Sequence, residues 1–439
     1  MVETLSVYFD GIQAAVISFD LDKQISAFQY TKPFCELGIE LAPLHMPLDP
    51  NVIYSFPALN LETFRGLPGM VADSLPDTFG TAALDRWLSK QNRSTPITPL
   101  ERLQYTGMRG MGALEYRPSI QQKGLNSSQT IEIKSLLKVA QDVINSRLEL
   151  QLNIASSTED LDAMQALLAV GTSAGGARPK VVLAFNHDFT QVRSGQVKVP
   201  SGFEHYLLKF DGIAHTNNTQ ETFGDPVGYG VMEYVYFLMA KDAGIDMTEC
   251  RLLDEGSRRH FVTKRFDRCG DKKFHTQTLT AIDHVDYHQP GSYSYEQLFQ
   301  IARKLRLPKY DANQIFLRMC FNFMAHNNDD HSKNFGFILK ENRWRLSPAY
   351  DVAYSYKPGN AWVEQHWMSA NSKRQNLTRA DLLRVGQNST RIPTSELKYM
   401  IQMVYDSVQN WEKLARENEV PKNLISVIDK TLPLRGFKL

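Results

Sequence analysis

Apolar residues gather in short runs at the start of the chain, Leu5-Ser-Val-Tyr-Phe9 and Ala14-Ala-Val-Ile-Ser-Phe19, with Asp10-Gly11 between them. Asp-Gly favours the positive φ angles of a hairpin turn, so residues 5–30 are predicted as short strands. Pro76-Asp77 introduces a predicted helix, Thr78 to Leu88, and the glycine-rich turn Gly107 to Gly112 precedes a predicted strand, Ala113 to Arg117. The polar stretch Gln121 to Thr130 has no apolar periodicity and reads as a linker. Ile133, Leu136, Leu137, Ala140, Val143 and Ile144 then recur at helical spacing, and a second helix is predicted from Leu161 to Val170. Apolar runs at Lys180–Phe185, Tyr206–Phe210 and Phe261–Phe266 predict strands, while Gly228 to Ala243 predicts a helix closed by Gly244. From Tyr295 onward helical patterns dominate, interrupted by the 326–355 segment with its predicted strands Phe335–Leu339 and Arg343–Leu346. Strands first and helices later give an α+β class, or two lobes.

At 439 residues the chain can hold two or three domains. Its 49 basic and 48 acidic residues leave a formal charge of +1, which argues against binding nucleic acid by bulk electrostatics. Cys35, Cys250, Cys269 and Cys320 form no CxxC pair, so neither a disulfide framework nor a structural zinc site is expected. The N-terminus has no basic-then-apolar leader and no run is long enough to span a membrane, so the expectation is a soluble, cytoplasmic protein without a membrane partner.

The densest chemistry is His326-Asn-Asn-Asp-Asp-His-Ser-Lys-Asn334, between the apolar run Ile315–Ala325 and the strand from Phe335. Asp329 and Asn334 have the Asp-x-x-x-x-Asn spacing of a kinase catalytic loop, in which the Asp takes the hydroxyl proton and the Asn binds Mg²⁺. Asp351, in Leu346-Ser-Pro-Ala-Tyr-Asp-Val352, suits a second hard-cation ligand, or else caps a turn. His326 and His331 leave open a transition-metal hydrolase. The loop Thr172-Ser-Ala-Gly-Gly-Ala-Arg-Pro-Lys180 can bring backbone N–H groups close to phosphate, or can simply turn the chain from helix to strand. Lys209, flanked by Leu208 and Phe210, either snorkels outward or holds an anionic partner. Glu233, on an otherwise apolar helix, is either a kinase-type partner for a strand lysine or a solvated carboxylate.

With these residues in view the chain resembles the HipA-type toxin kinases, serine/threonine kinases of bacterial toxin–antitoxin pairs. The likeness runs over nearly the whole length. Phe316 to Phe337 is similar to the family's catalytic segment, Leu346 to Val352 to its metal-binding segment, Phe261 to Arg268 to its hinge, and Ser173 to Lys180 to its phosphate loop. Residues 5 to 118, with Ser74-Leu-Pro-Asp77 and Met111-Gly-Ala-Leu114, resemble its N-terminal subdomain.

The resemblance implies a bilobal protein-kinase-like fold. A small strand-rich N-terminal subdomain (1–120) would precede a kinase N-lobe (131–267) and a mainly helical C-lobe (268–439). It implies ATP and Mg²⁺ as cofactors, Asp329 as base, and Asn334 and Asp351 as metal ligands. Ser173, Ala174, Gly175, Gly176, Ala177, Lys180, Lys209, Glu233, Lys264, Arg265, Phe266 and His331 would surround the nucleotide. Ser173 would be the autophosphorylated loop serine, with Thr172 beside it as the other candidate. The family often carries Glu where Lys264 stands, and backbone contacts to adenine survive that change. Implied partners are a HipB-like helix-turn-helix antitoxin, operator DNA mainly through that antitoxin, and a protein substrate such as the aminoacyl-tRNA synthetase for glutamate. A small-molecule kinase and a catalytically inactive co-repressor are the alternatives.

Overall fold

The computed structural model describes residues 2–89, 97–120, 130–146, 179–216 and 222–438. The linker predicted at Gln121–Thr130, save its last residue, and the helix predicted at Leu161–Val170 lie outside them. The chain divides into two compact units. The first comprises Met1–Glu40, Leu48–Gly230 and Arg251–His275; the second comprises Leu41–Pro47, Val231–Cys250 and Thr276–Leu439.

The first unit holds two main sheets. One is antiparallel, ordered β3 (Ile25–Tyr30), β2 (Ile12–Asp20), β1 (Val2–Phe9), β4 (Leu114–Arg117). Asp10 and Gly11 have φ of 48° and 78°, the left-handed pair a two-residue hairpin needs, and Phe9 faces Ile12 across it. Leu5, Val7, Ile17, Phe19, Phe28 and Tyr30 turn inward from this sheet. The other sheet is built from β5 (Lys180–Asn186), β6 (Val192–Ser194), β7 (Phe203–Lys209), β10 (Cys250–Glu255) and β11 (Arg258–Lys264). Its order is β10-β11-β7-β5-β6. The helices Thr78–Ser89 and Ile133–Ser146 lay Phe79, Ala83, Leu84, Leu136, Leu137 and Ala140 on Val181, Leu183, Tyr206, Leu208 and Val262 of this sheet. The i, i+3, i+4 spacing read from the sequence is the reason those side chains share one face. Two small hairpins, β8 (Ile213–Thr216) with β9 (Thr222–Asp225) and β12 (Arg268–Cys269) with β13 (Lys272–Lys273), complete the unit.

The second unit is mainly helical. Its axis is the helix Lys309–Met324, whose residues from Gln314 to Met324 are all buried, polar ones included. The helices Tyr295–Lys304 and Thr394–Gln409 pack against it, Arg379–Ser389 packs on those two, and Trp411–Glu417 joins Thr394–Gln409 to Lys422–Thr431. One sheet interrupts them, β14 (His275–Thr278), β15 (Gly336–Lys340) and β16 (Arg343–Leu346). Glu341 and Asn342, φ 50° and 56°, close its hairpin. Among the described residues no helix is long and apolar enough to cross a membrane.

Candidate catalytic loop and the sheet lysines

The helix Lys309–Met324 ends at Ala325, and His326 turns the chain with φ 52°. Two contacts anchor the turn. The Tyr236 hydroxyl donates to the Ala325 carbonyl at 2.7 Å, and Asn327 bonds back to Asn322 through backbone (3.0 Å) and side chain (2.9 Å). From there the two adjacent aspartates diverge. The Asp330 side chain is fully buried. It accepts from the Tyr295 hydroxyl and the Trp367 N–H, both at 2.7 Å, and lies 3.2 Å from His366 Nδ1. Asp329 instead keeps 38% of its side chain exposed.

The position of Asp329 is nonetheless fixed. Its N–H donates to Ser355 Oγ at 2.9 Å, its carbonyl accepts from Asn334 Nδ2 at 2.7 Å, and its Oδ1 accepts from the Trp362 indole at 2.7 Å. Among the described residues Oδ2 has no hydrogen-bond partner. Asn334 is therefore oriented by the backbone of the residue it would assist, which leaves its Oδ1 available as an oxygen ligand. The spacing Asp329–Asn334 is set by the short helix Ser332–Asn334, capped when His331 Nδ1 accepts from the Lys333 N–H at 3.2 Å.

That cap fixes the tautomer of His331: Nδ1 accepts, so Nε2 carries the proton, 3.6 Å from Asp329 Oδ1. Burial lowers the pKa of His331 and keeps it neutral, against the opposing pull of Asp329, Asp351 and Asp330. Asp351 follows β16 with φ 51°, an αL conformation uncommon outside glycine. His326 packs flat on Tyr356, ring centroids 4.3 Å apart, and burial lowers its pKa to about 4. Its ring is part of the packed frame beside the loop. Among the described residues no group of three His, Cys, Asp or Glu side chains could hold a metal. The oxygens of Asn334, Asp351 and Asp329 suit a hard cation that also takes phosphate oxygens and water. They do not suit a His-rich transition-metal centre.

In the first unit, Lys180 and Lys209 are register partners on β5 and β7, and Phe261 of β11 is the partner of Lys209 on its other side. Both lysines are buried, at 2% and 3% exposure, so Lys209 does not snorkel outward. Lys180 Nζ is 3.9 Å from the buried Asp77 carboxylate, and Lys209 Nζ is 5.7 Å from the Phe261 ring centroid. Like charges opposite one another in a sheet are unfavourable, so this placement is a constraint the strands carry rather than a packing preference. In the second unit, Glu233 on the helix Tyr229–Asp242 is also buried, at 2% exposure, not solvated.

The predicted strand Phe261–Phe266 stops at Lys264, because Arg265 turns inward. Arg265 makes a two-pronged pair with the buried Asp267, at 2.9 and 2.7 Å, and Arg268 adds a third contact at 2.7 Å. Lys264 reaches Glu204 at 2.5 Å. Phe266 follows in the loop. Ser173, Ala174, Gly175, Gly176 and Ala177, like Thr172, lie outside the described residues.

Neither Trp362 nor Ser355 carries a signal in the sequence. Both sit in the irregular 347–378 segment, where no periodicity or motif spacing marks a residue. The division of labour between Asp329 and Asp330 depends on tertiary partners 25 or more residues away and has no local signature.

The sequence matches two family models, the HipA N-terminal domain over residues 5–117 and the HipA-like C-terminal domain over residues 172–411. The second alone spans more than half the chain. A mixed sheet-and-helix protein with both segments in this order belongs to the HipA-type toxin family. It is 23% identical over 378 residues to the serine/threonine-protein kinase toxin HipA of Shewanella oneidensis, across 80% of this chain and 74% of that one. It is 30% identical over 134 residues to a putative kinase of Haemophilus influenzae, across 27% of this chain and 39% of that one. In fold it is similar to HipA of Shewanella oneidensis MR-1, solved with HipB and operator DNA, with a TM-score of 0.67 at 14% identity. That likeness covers 98% of this chain and 95% of the solved one.

Proposed function

We propose that this chain is an ATP- and Mg²⁺-dependent protein serine/threonine kinase, the toxin half of a type II toxin–antitoxin pair acting in the cytoplasm. The observation that carries this reading is the asymmetry of the catalytic-loop carboxylates. Asp330 is consumed by structure, while Asp329 is exposed, held at one oxygen and open at the other.

In this reading the acceptor hydroxyl donates to Asp329 Oδ2. Its oxygen attacks the γ-phosphorus, the bond to the β,γ-bridging oxygen breaks, ADP leaves, and the proton passes to the carboxylate. Asn334 and Asp351 would hold Mg²⁺, which when bound neutralises phosphate charge. Lys180 and Lys209 would offset the charge of the nucleotide phosphates, with Glu233 as partner of the strand lysine and Ser173 to Ala177 as part of the phosphate loop. The neutral His331 adds no cation of its own beside the base. Lys264 to Phe266 would meet adenine through backbone, since the Lys264 side chain is taken by Glu204. Catalysis would rest on positioning and preorganised charge. The kinase-like bilobal arrangement and the division at 1–120, 131–267 and 268–439 belong to the same proposal.

The named relatives support a HipB-like antitoxin as partner, with operator DNA reached mainly through it. The near-neutral net charge agrees with that route. The proposed substrate is a protein of translation such as glutamyl-tRNA synthetase, and Ser173 the site of silencing autophosphorylation. Purified protein with γ-labelled ATP tests this reading. Label is expected in Ser173 and in a protein acceptor, and is expected to vanish in Asp329→Ala while ATP binding persists. Label confined to a small metabolite, or undiminished in Asp329→Ala, would overturn it.

A further inference from the structure

We infer that Trp362 is the positioning residue for the Asp329 carboxylate, and that it selects which carboxylate oxygen receives the acceptor proton. This rests on the kinase reading above. The Trp362 indole N–H donates to Asp329 Oδ1 at 2.7 Å, the short end of the range for a charge-assisted bond. His331 Nε2 lies 3.6 Å from that same oxygen. Among the described residues the one hydrogen bond to the carboxylate therefore falls on Oδ1, and the oxygen left for a substrate hydroxyl is Oδ2. A carboxylate on a half-exposed loop would otherwise rotate about its side-chain bonds, and each misaligned rotamer removes the near-attack geometry that general-base catalysis needs.

The donor is itself prepositioned. Asn360 Oδ1 accepts from the N–H groups of Trp362 and Val363, at 3.0 and 3.2 Å, which folds the chain into a tight turn around the indole. From the catalytic loop, Asn328 Nδ2 donates to the Val363 carbonyl at 3.0 Å. The two segments are thus latched in both directions, Asn328 reaching out to Val363 and Trp362 reaching back to Asp329. The indole plane is bounded by His331 (centroids 5.9 Å, 63°) and Tyr287 (6.5 Å, 84°), edge-to-face contacts that stop it from swinging away. Buried scaffolding alone does not require an N–H at this place. The aromatic packing would be served equally by phenylalanine, whereas only the donor reaches the one oxygen of Asp329 that lies toward it.

Trp362→Phe keeps the ring and removes the donor. It is expected to lower kcat about tenfold, equivalent to about 1.4 kcal/mol, with the KM for ATP and the thermal midpoint unchanged. A loss through general loosening would move all three together. An unchanged kcat would overturn the positioning role. A second readout needs no turnover. In protein labelled with ¹⁵N-tryptophan, one of the five indole N–H resonances vanishes in Trp362→Phe and so is assigned. That resonance is expected to shift in Asp329→Ala while the others stay in place. A Trp362 resonance indifferent to Asp329→Ala would overturn the contact. Absence of phosphoryl transfer in the wild type, with the indole response intact, would instead fall on the kinase reading.

Discussion

Two neighbouring aspartates offer a sharp separation of stability from chemistry. Asp330→Ala removes a carboxylate that is fully buried and leaves the Tyr295 O–H and the Trp367 N–H, both bound at 2.7 Å, without an acceptor. Tyr295 and Trp367 are themselves wholly buried, so water cannot replace the lost oxygen. Each orphaned buried donor costs about 1–3 kcal/mol, and the weaker contacts to Met368 and His366 go as well. Against this stands the relief of no longer burying a charge, so a net loss of about 3–5 kcal/mol is expected. In a unit of roughly 190 residues that lowers the unfolding midpoint by roughly 10 °C. Asp329→Ala, by contrast, removes one bond from a side chain that is 38% exposed. Its stability should stay within about 1 kcal/mol of wild type, while phosphoryl transfer falls by about 10²–10⁴-fold. Urea denaturation followed by tryptophan fluorescence, alongside a γ-labelled ATP assay, measures both quantities on the same preparations. An Asp330→Ala protein as stable as wild type would refute the structural role. An Asp329→Ala protein as damaged as Asp330→Ala would refute the separation.

Asp267→Asn should destabilise the first unit by about 3–5 kcal/mol, since it strips the partner from two buried guanidinium groups; a chemical melt that does not change would count against it. Burial pushes the Asp267 pKa up, but Arg265 and Arg268 more than offset this and hold it well below the usual carboxylate range. Its contribution is therefore present above the unfolded value near 4 and is lost only in stronger acid. His326 has the opposite charge type and a nearer window. Its pKa is lowered by burial from 6.5 to about 4, so the unfolded chain binds the extra proton first and stability declines as pH falls through that interval. Replacing His326 with glutamine should flatten the pH dependence of the midpoint there, and a wild-type-like slope in the variant would refute it.

Much of the catalytic loop was legible because its chemistry is local. Asp329 and Asn334 lie five residues apart, and the geometry joining them is made by the one short helix between them. The strands were legible where apolar runs were bounded by turn residues, and Arg343–Leu346 spans the residues its pattern predicts. What escaped was whatever depends on partners distant in sequence. Asp330 looks like Asp329 in composition and differs only through Tyr295, His366 and Trp367. Lys209 reads from its strand alone more readily as an outward lysine than as a buried one, because one strand does not reveal that β5 and β11 flank it on both sides. The Arg265–Asp267 pair curtails a strand whose apolar pattern continues to Phe266.

The contacts across the first unit bear on what a domain is in this family. Residues 5–117 and 172–411 match separate family models. Yet Asp77 approaches Lys180, the Gly112 N–H donates to Asp267 at 2.7 Å, and Arg268 donates to the Gly110 and Gly112 carbonyls at 2.8 Å. Lys273 completes the seam at Met108 and Glu115, both at 2.7 Å. The units of inheritance and the units of folding thus do not coincide. A chain cut at 172 would lose the far side of this charged seam and leave Asp267, Arg268 and Lys273 without those partners. Recombination that swaps the N-terminal segment between relatives would keep these contacts only by carrying matching residues at 77 and 108–115.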